Sequence, residues 1–332
     1  MAGILVLVAS GCGGSKTASP AERHLVYVKG TGVDVPHVWI AKPDGSNAHL
    51  LTVGSVGVLS PDGRTVAVAR RHKGVFLVSS DGGSAHRLTP RDLHPQAWSP
   101  DGKTVIATAE TDRSVYQLVA LDRDSGKQTT IARGSLYGFD FSPSGDKIVY
   151  SRAPEATYEG ICGDQFDLYV AKLDGGSPER ITHDGLSAFP VWGKSEIAFS
   201  HFPPESGTDT QSCSAPGVWT VNPDGSNEHA VIARAPDSIT LAGYYGFQPL
   251  DWLDEEHVLV GLRTDSGTEG AILDTKTRHL RRLGDYADLA SSDGRFSVGS
   301  GGIQSLILSV LRLSDGHRVL LRKQACCPSW NR

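Results

Sequence analysis

Apolar and polar positions alternate in short bursts along most of this chain. Stretches such as HVWIA (37–41), GVFLVS (74–79), DLYVAK (167–172) and GVWTV (217–221) carry a hydrophobic side chain at every second residue or nearly so, the period of a half-buried β-strand. The bursts are separated by turn-forming clusters. One recurs as Ser60-Pro61-Asp62-Gly63, Ser99-Pro100-Asp101-Gly102, Ser142-Pro143-Ser144-Gly145 and Ser291-Ser292-Asp293-Gly294. Pro pre-sets φ, Asp bonds nearby backbone and Gly tolerates positive φ, so each cluster predicts a tight turn between two strands. A second cluster appears as KPDGSN (42–47), SSDGGS (79–84), DRDSGK (122–127), KLDGGS (172–177), NPDGSN (222–227), DTKTRH (274–279) and LSDGHR (313–318). The pattern predicts an all-β chain of repeated units, each with four strands, here a to d, joined by short turns. Residues 24–332 divided by seven give roughly 44 per unit, the length of a four-stranded propeller blade.

The repeats resemble the WD-like propeller repeat of the TolB family, whose blade reads approximately P-x-W-S-P-D-G, two apolar strands, D-G-G and R-L-T. HPQAWSPDGKTVIATA (94–109) and LDGGSPERIT (173–182) carry the resemblance most closely, while WGKSE (192–196) and WLDEEH (252–257) replace the first turn in later units. The resemblance implies a seven-bladed β-propeller over residues 24–332; it bears on fold far more than on function, because one propeller scaffold hosts many unrelated activities. The first unit begins at HLVYV, a b strand, with no a strand before it. The chain ends in Pro328-Ser329-Trp330, similar to Pro95-Gln96-Ala97-Trp98 and Phe189-Pro190-Val191-Trp192. The C-terminal segment is therefore expected to supply the missing a strand and close the ring. Trp98, Trp192, Trp252 and Trp330 then fall on a strands and Trp39 and Trp219 on c strands, where large aromatics pack between blades.

Composition narrows the function. A net charge of -5 provides no basic footprint for nucleic acid. At the N-terminus, Ile4–Val8 is a short apolar run followed by Ala9-Ser10-Gly11-Cys12 and the polar stretch GGSKTASPAE. This resembles a bacterial lipobox with Ala9 where Leu is usual. It implies a signal peptide over 1–11, a lipidated Cys12, a tether over 12–23 and an extracytoplasmic location, with the membrane reached through the lipid anchor alone. Cys162 and Cys213 stand in near-equivalent loops of adjacent units, which predicts a disulfide between them. Cys326 and Cys327 lie on the closing strand, as buried thiols or a vicinal disulfide.

Catalytic signals are sparse. No Gly-x-Ser-x-Gly elbow and no HExxH occurs. Turn capping accounts for the aspartates of Asp122–Gly126 better than calcium does. The reading is a monomeric, non-catalytic module without metal or cofactor that binds a protein or peptide partner in the cell envelope. The alternative is a propeller-fold polysaccharide lyase or hydrolase with a composite metal site at the channel mouth, for which His94, His183 and His201 are the histidines nearest the expected mouth. Three long insertions, 151–165, 201–217 and 233–249, fall in b–c and d–a connections of consecutive units and so on one face. They carry Tyr158, His201, Phe202, Tyr244, Tyr245 and Phe247 with Glu155, Asp164, Glu205 and Asp209, aromatics rimmed by charge that are expected to anchor the partner.

Overall fold

In the computed structural model, residues 9–10, 24–30, 35–112, 115–153, 165–202, 216–235, 246–264, 267–286, 289–290, 296–301, 307–314, 318–322 and 325–330 are described. The alternating bursts form antiparallel strands, and consecutive strands pair. Leu25–Lys29, His37–Ala41 and His49–Val53 make one four-stranded sheet with Ala325–Trp330 as its first strand. Leu25 pairs with Trp330 and Lys29 with Ala325, so the tail completes the sheet that the N-terminal strands begin. Further four-stranded sheets are Val56–Leu59, Thr65–Arg70, Gly74–Ser79 and Ala85–Thr89; Ser187–Trp192, Ile197–His201, Pro216–Val221 and His229–Arg234; Phe247–Trp252, His257–Thr264, Gly267–Asp274 and Leu280–Tyr286; and Leu289–Ala290, Phe296–Gly301, Ile307–Arg312 and Arg318–Arg322.

One region departs from the expected partition. His94–Trp98, Thr104–Asp112 and Val115–Asp122 lead into Gln128–Phe141, a strand of 14 residues. Its first half pairs with Val115–Asp122 and its second half with Lys147–Ala153, which continues through Asp167–Lys172 and Glu179–Arg180. The segment has no Pro-Asp-Gly turn to break the ladder; Gly134 (φ 140°) and Gly138 (φ 86°) bend it instead. Ala9–Ser10 joins this sheet off its main path, parallel to Phe139 and Asp140.

The repeated turns close as their chemistry dictates. The Ser60 hydroxyl donates to Asp62 Oδ1 (2.5 Å), which accepts the Arg64 amide (3.0 Å), while Ser60 Oγ accepts the Thr65 amide (3.0 Å). Ser99, Asp101, Lys103 and Thr104 repeat this arrangement, and Gly63 and Gly102 take φ of 71° and 68°. Partial burial pushes the Asp62 and Asp101 carboxyls upward, but the serine and backbone bonds outweigh it and hold both below the usual range.

Apolar clusters fill the spaces between successive sheets. Val38 and Ile40 pack with Leu59 and Val66, Val58 with Trp98 and Val105, Val149 and Leu168 with Trp192 and Phe199, and Leu250 with Ala290. Val298 and Val310 of the last sheet pack against Leu25 and Tyr27 of the first. A second set of ties lies where the first strand of each sheet ends. Trp98 Nε1 donates to the Val58 carbonyl (2.9 Å) and Trp252 Nε1 to the Val191 carbonyl (3.2 Å), each reaching the preceding sheet. The residue before the Trp position ties in the other direction: Asp140 Oδ2 accepts the Trp192 amide (2.7 Å) and Ser329 Oγ the Leu59 amide (3.1 Å). The tryptophans thus lie on the strands expected of them, and Trp98, Trp192 and Trp252 are buried.

Candidate functional site

The three long insertions leave and rejoin the sheets at one place. Residues 154–164, 203–215 and 236–245 lie outside the described residues, and with them Glu155, Tyr158, Cys162, Asp164, Glu205, Asp209, Cys213, Tyr244 and Tyr245. Cys12 lies outside them too. The ends of the insertions are described and form a packed platform. Ala153 and Phe166 flank the first insertion, and both pack with Phe202, at the start of the second, and with Ala188. Tyr137 and Phe189 extend this cluster as edge-to-face aromatics, Tyr137 to Phe166 at 4.8 Å and to Phe189 at 5.9 Å between ring centroids. Gly246, at the end of the third insertion, sits against Pro216 at the end of the second; a Cβ on Gly246 would lie 2.4 Å from Pro216 Cδ. The Ser200 hydroxyl donates to the Phe247 carbonyl (3.0 Å), joining the second and third insertion roots across a sheet boundary.

Burial changes the role of three residues expected on an exposed rim. Phe247 is fully buried with Val218 and Leu262, and Phe202 is buried with its amide bonded to the Leu186 carbonyl (2.9 Å). Both are props beneath the insertions. Each closes a strand end against a neighbouring sheet, where removing an aromatic ring from water is worth more than displaying it. His201 is 6% exposed.

His201 is the chemically distinctive member of the platform. It ends the strand Ile197–His201, stacks on the Trp219 ring at 4.1 Å between centroids and bonds Asp184 Oδ2 through Nε2 at 2.7 Å. Its Nδ1 is buried with no hydrogen-bond partner among the described residues. In the neutral imidazole with Nε2–H donating, Nδ1 is therefore an acceptor that no described residue engages. Asp184 is held by the Leu186 amide (3.0 Å), and its backbone rests on a buried carboxylate: Asp167 pairs with Arg180 and accepts the Gly185 amide (3.1 Å). Partial burial pushes the Asp184 carboxyl upward, but the His201 and Leu186 bonds outweigh it and leave it below the usual range. Nearby, Glu228 is pushed up by desolvation and by repulsion from Asp184, against the attraction of His201 and His183. Such a site can hold or pass a proton and present one polar atom to a bound group.

Asp184 and Trp219 were not legible as site residues, because Asp184 sits in an ordinary-looking HDGL turn and Trp219 reads as blade packing. Of the candidate channel-mouth histidines, His183 and His201 both lie within electrostatic reach of Glu228. His94 begins a strand of a different sheet, His183 is exposed, and no group of three or more His, Cys, Asp or Glu placed to hold a metal occurs among the described residues.

No protein-family model matches the chain. Among curated proteins it is 30% identical over 143 residues to the uncharacterized protein Atu1656 of Agrobacterium fabrum, spanning 40% of this chain and 44% of that one. It is 25% identical over 126 residues to the uncharacterized peptidase YuxL of Bacillus subtilis, spanning 36% of this chain and 19% of that one. The chain thus matches less than half the length of either relative. Among solved structures, TolB of Acinetobacter baumannii superposes with a TM-score of 0.56 at 15% identity, covering 94% of this chain and 67% of that one. Oligogalacturonate lyase of Vibrio parahaemolyticus gives 0.58 at 15% identity, covering 91% and 85%. A puromycin-hydrolyzing peptidase of Mycobacterium tuberculosis gives 0.62 at 14% identity, covering 96% and 57%. These likenesses establish the fold, a TolB-like β-propeller.

Proposed function

We propose that this chain is a seven-bladed, extracytoplasmic propeller, anchored through a lipid on Cys12, that binds a protein or peptide partner on the face carrying its three insertions. The seven-blade count follows if Gln128–Phe141 serves twice, as the last strand of the third blade and the first of the fourth, with the tail as the first strand of blade one. The observation that carries the binding role is the convergence of the insertion roots on one packed platform. A rigid base lowers the entropy lost when loops settle on a partner. A disulfide between Cys162 and Cys213 belongs to the same proposal, since it would pin two of the insertions together.

A second reading is kept by the fold neighbours, which include a lyase and a peptidase as well as TolB. In that reading His201 and Asp184 would serve as a proton-handling pair.

The test is capture from envelope membranes with the anchored protein as bait, comparing wild type with a Tyr244→Ala/Tyr245→Ala variant. Retained thermal stability with lost capture supports the binding face. Unchanged capture refutes its assignment to these insertions. A turnover of polyuronate or peptide that disappears in His201→Ala would move the assignment to an enzyme.

A further inference from the structure

Three large apolar side chains are exposed among the described residues: Val35 at 60% exposure, Leu50 at 50% and Val53 at 47%. All belong to the first sheet or the loop entering it, and backbone bonds gather Val35 and Val53 into one edge. The Gly54 amide donates to the Pro36 carbonyl (3.0 Å), fastening the Val35–Pro36 loop to the end of the His49–Val53 strand. From the next sheet, Arg70 donates through Nε to the Val53 carbonyl (3.2 Å) and through Nη2 to Thr52 Oγ1 (2.8 Å). Those bonds bring the turn Arg71-His72-Lys73 alongside, closed by the Lys73 amide on the Arg70 carbonyl (2.8 Å), and all three of its side chains are exposed. His72 Nδ1 lies 3.4 Å from Asp92 Oδ2; Arg71 and Lys73 are exposed on the turn that Arg70 ties to Val53.

We propose that this edge is a docking surface for an anionic lipid bilayer. Arg70, Arg71 and Lys73 follow one another in a turn tied to Val53, on a chain whose net charge is -5, and the exposed valines stand at the loop and strand ends that this turn adjoins. A shallow row of this kind suits the boundary between headgroups and acyl chains: the valines enter it while Arg71 and Lys73 reach anionic headgroups and keep their stems along the apolar surface. The core of an interface with a folded protein instead enriches aromatic side chains and depletes lysine, whereas this edge offers valines and Lys73. The edge lies on the face of b–c and d–a connections that also bears the insertions, in sheets remote from them along the chain. The surface is independent of lipid on Cys12 and can be tested without it.

The experiment uses the full chain carrying Cys12→Ser, sedimented with vesicles of phosphatidylcholine alone or with about one-third phosphatidylglycerol. The wild-type surface should bring the protein down with the mixed vesicles only, less so as salt is raised. Arg71→Gln with Lys73→Gln should weaken partitioning about 25-fold, taking roughly fivefold for each cation near an anionic surface. Val35→Ser with Val53→Ser should weaken it several-fold even in high salt. Lys127→Gln with Lys172→Gln, exposed cations at the opposite ends of the strands, should leave partitioning unchanged. Circular dichroism of each variant separates lost docking from lost folding. Protein that stays in the supernatant with mixed vesicles, or a control pair that weakens binding as much as the test pair, overturns the proposal. Self-association without vesicles that the valine substitutions abolish would assign the patch to a second copy of the chain and overturn it as well.

Discussion

Substituting Asp140 probes the ties that hold adjacent sheets in register. Its side chain is fully buried, with Oδ1 accepting the Phe141 amide at 2.8 Å and Oδ2 accepting the Trp192 amide of the next sheet at 2.7 Å. In Asp140→Ala both amides lose this acceptor in a dry environment. A buried donor left without a partner costs about 1–3 kcal/mol, and the charge that no longer needs burying returns part of that. Two such donors lose about 2–6 kcal/mol before that return, so the expected net loss is about 2–4 kcal/mol. For a chain of this length, that lowers Tm by roughly 4–8 °C at about 2 °C per kcal/mol. Asp140→Asn keeps one acceptor oxygen and turns an amide N–H toward the other donor, so it should fall between wild type and Ala. Ser329→Ala, which removes the equivalent neutral acceptor of the Leu59 amide, should cost only about 1 kcal/mol. Urea and thermal unfolding followed by tryptophan fluorescence give the energies, and hydrogen exchange at the Trp192 amide localises the effect. A loss under about 1 kcal/mol in Asp140→Ala, or a Trp192 amide as protected as before, would show that apolar packing alone sets the register.

Three further outcomes are expected. Removing residues 324–332 deletes the first strand of a sheet and the Ser329 tie; soluble yield and Tm should both drop sharply, and an unchanged Tm would mean that the tail contributes no stability. Asp62, Asp101 and Asp184 all have folded-state pKa values below the ordinary one, so their contribution is present above about pH 4 and is lost as pH falls through their lowered values. Asp62→Asn with Asp101→Asn should flatten the acid limb of stability against pH, and a limb as steep as wild type would count against the turn assignment. Glu228 is shifted the other way, so Glu228→Gln should stabilise the protein slightly, by no more than a few tenths of a kcal/mol given solvent screening, at neutral pH. That gain should vanish below about pH 4, where wild-type Glu228 is protonated in both states, and a gain that persists there would point to a non-electrostatic cause.

Most strands were legible because what specifies them is local. Side-chain alternation with period two needs only neighbouring residues, and the Ser-Pro-Asp-Gly turns carry their own acceptors in Ser60, Asp62, Ser99 and Asp101. The tail strand was legible for a related reason: a repeat of four strands left the first sheet one short, and Pro328-Ser329-Trp330 was the remaining match. Only the tertiary structure decided the rest. Phe202 and Phe247 look like rim aromatics in sequence, yet each is buried partly by a residue from a neighbouring sheet's side, Phe166 for Phe202 and Val218 for Phe247. His201 gains its character from Asp184, 17 residues earlier, and Trp219, which stands on the next strand. Asp140 reveals its role only when Trp192 is brought beside it, 52 residues away in the chain. Periodicity reports which way a side chain points, whereas burial, pairing and charge depend on what a neighbouring sheet places against it.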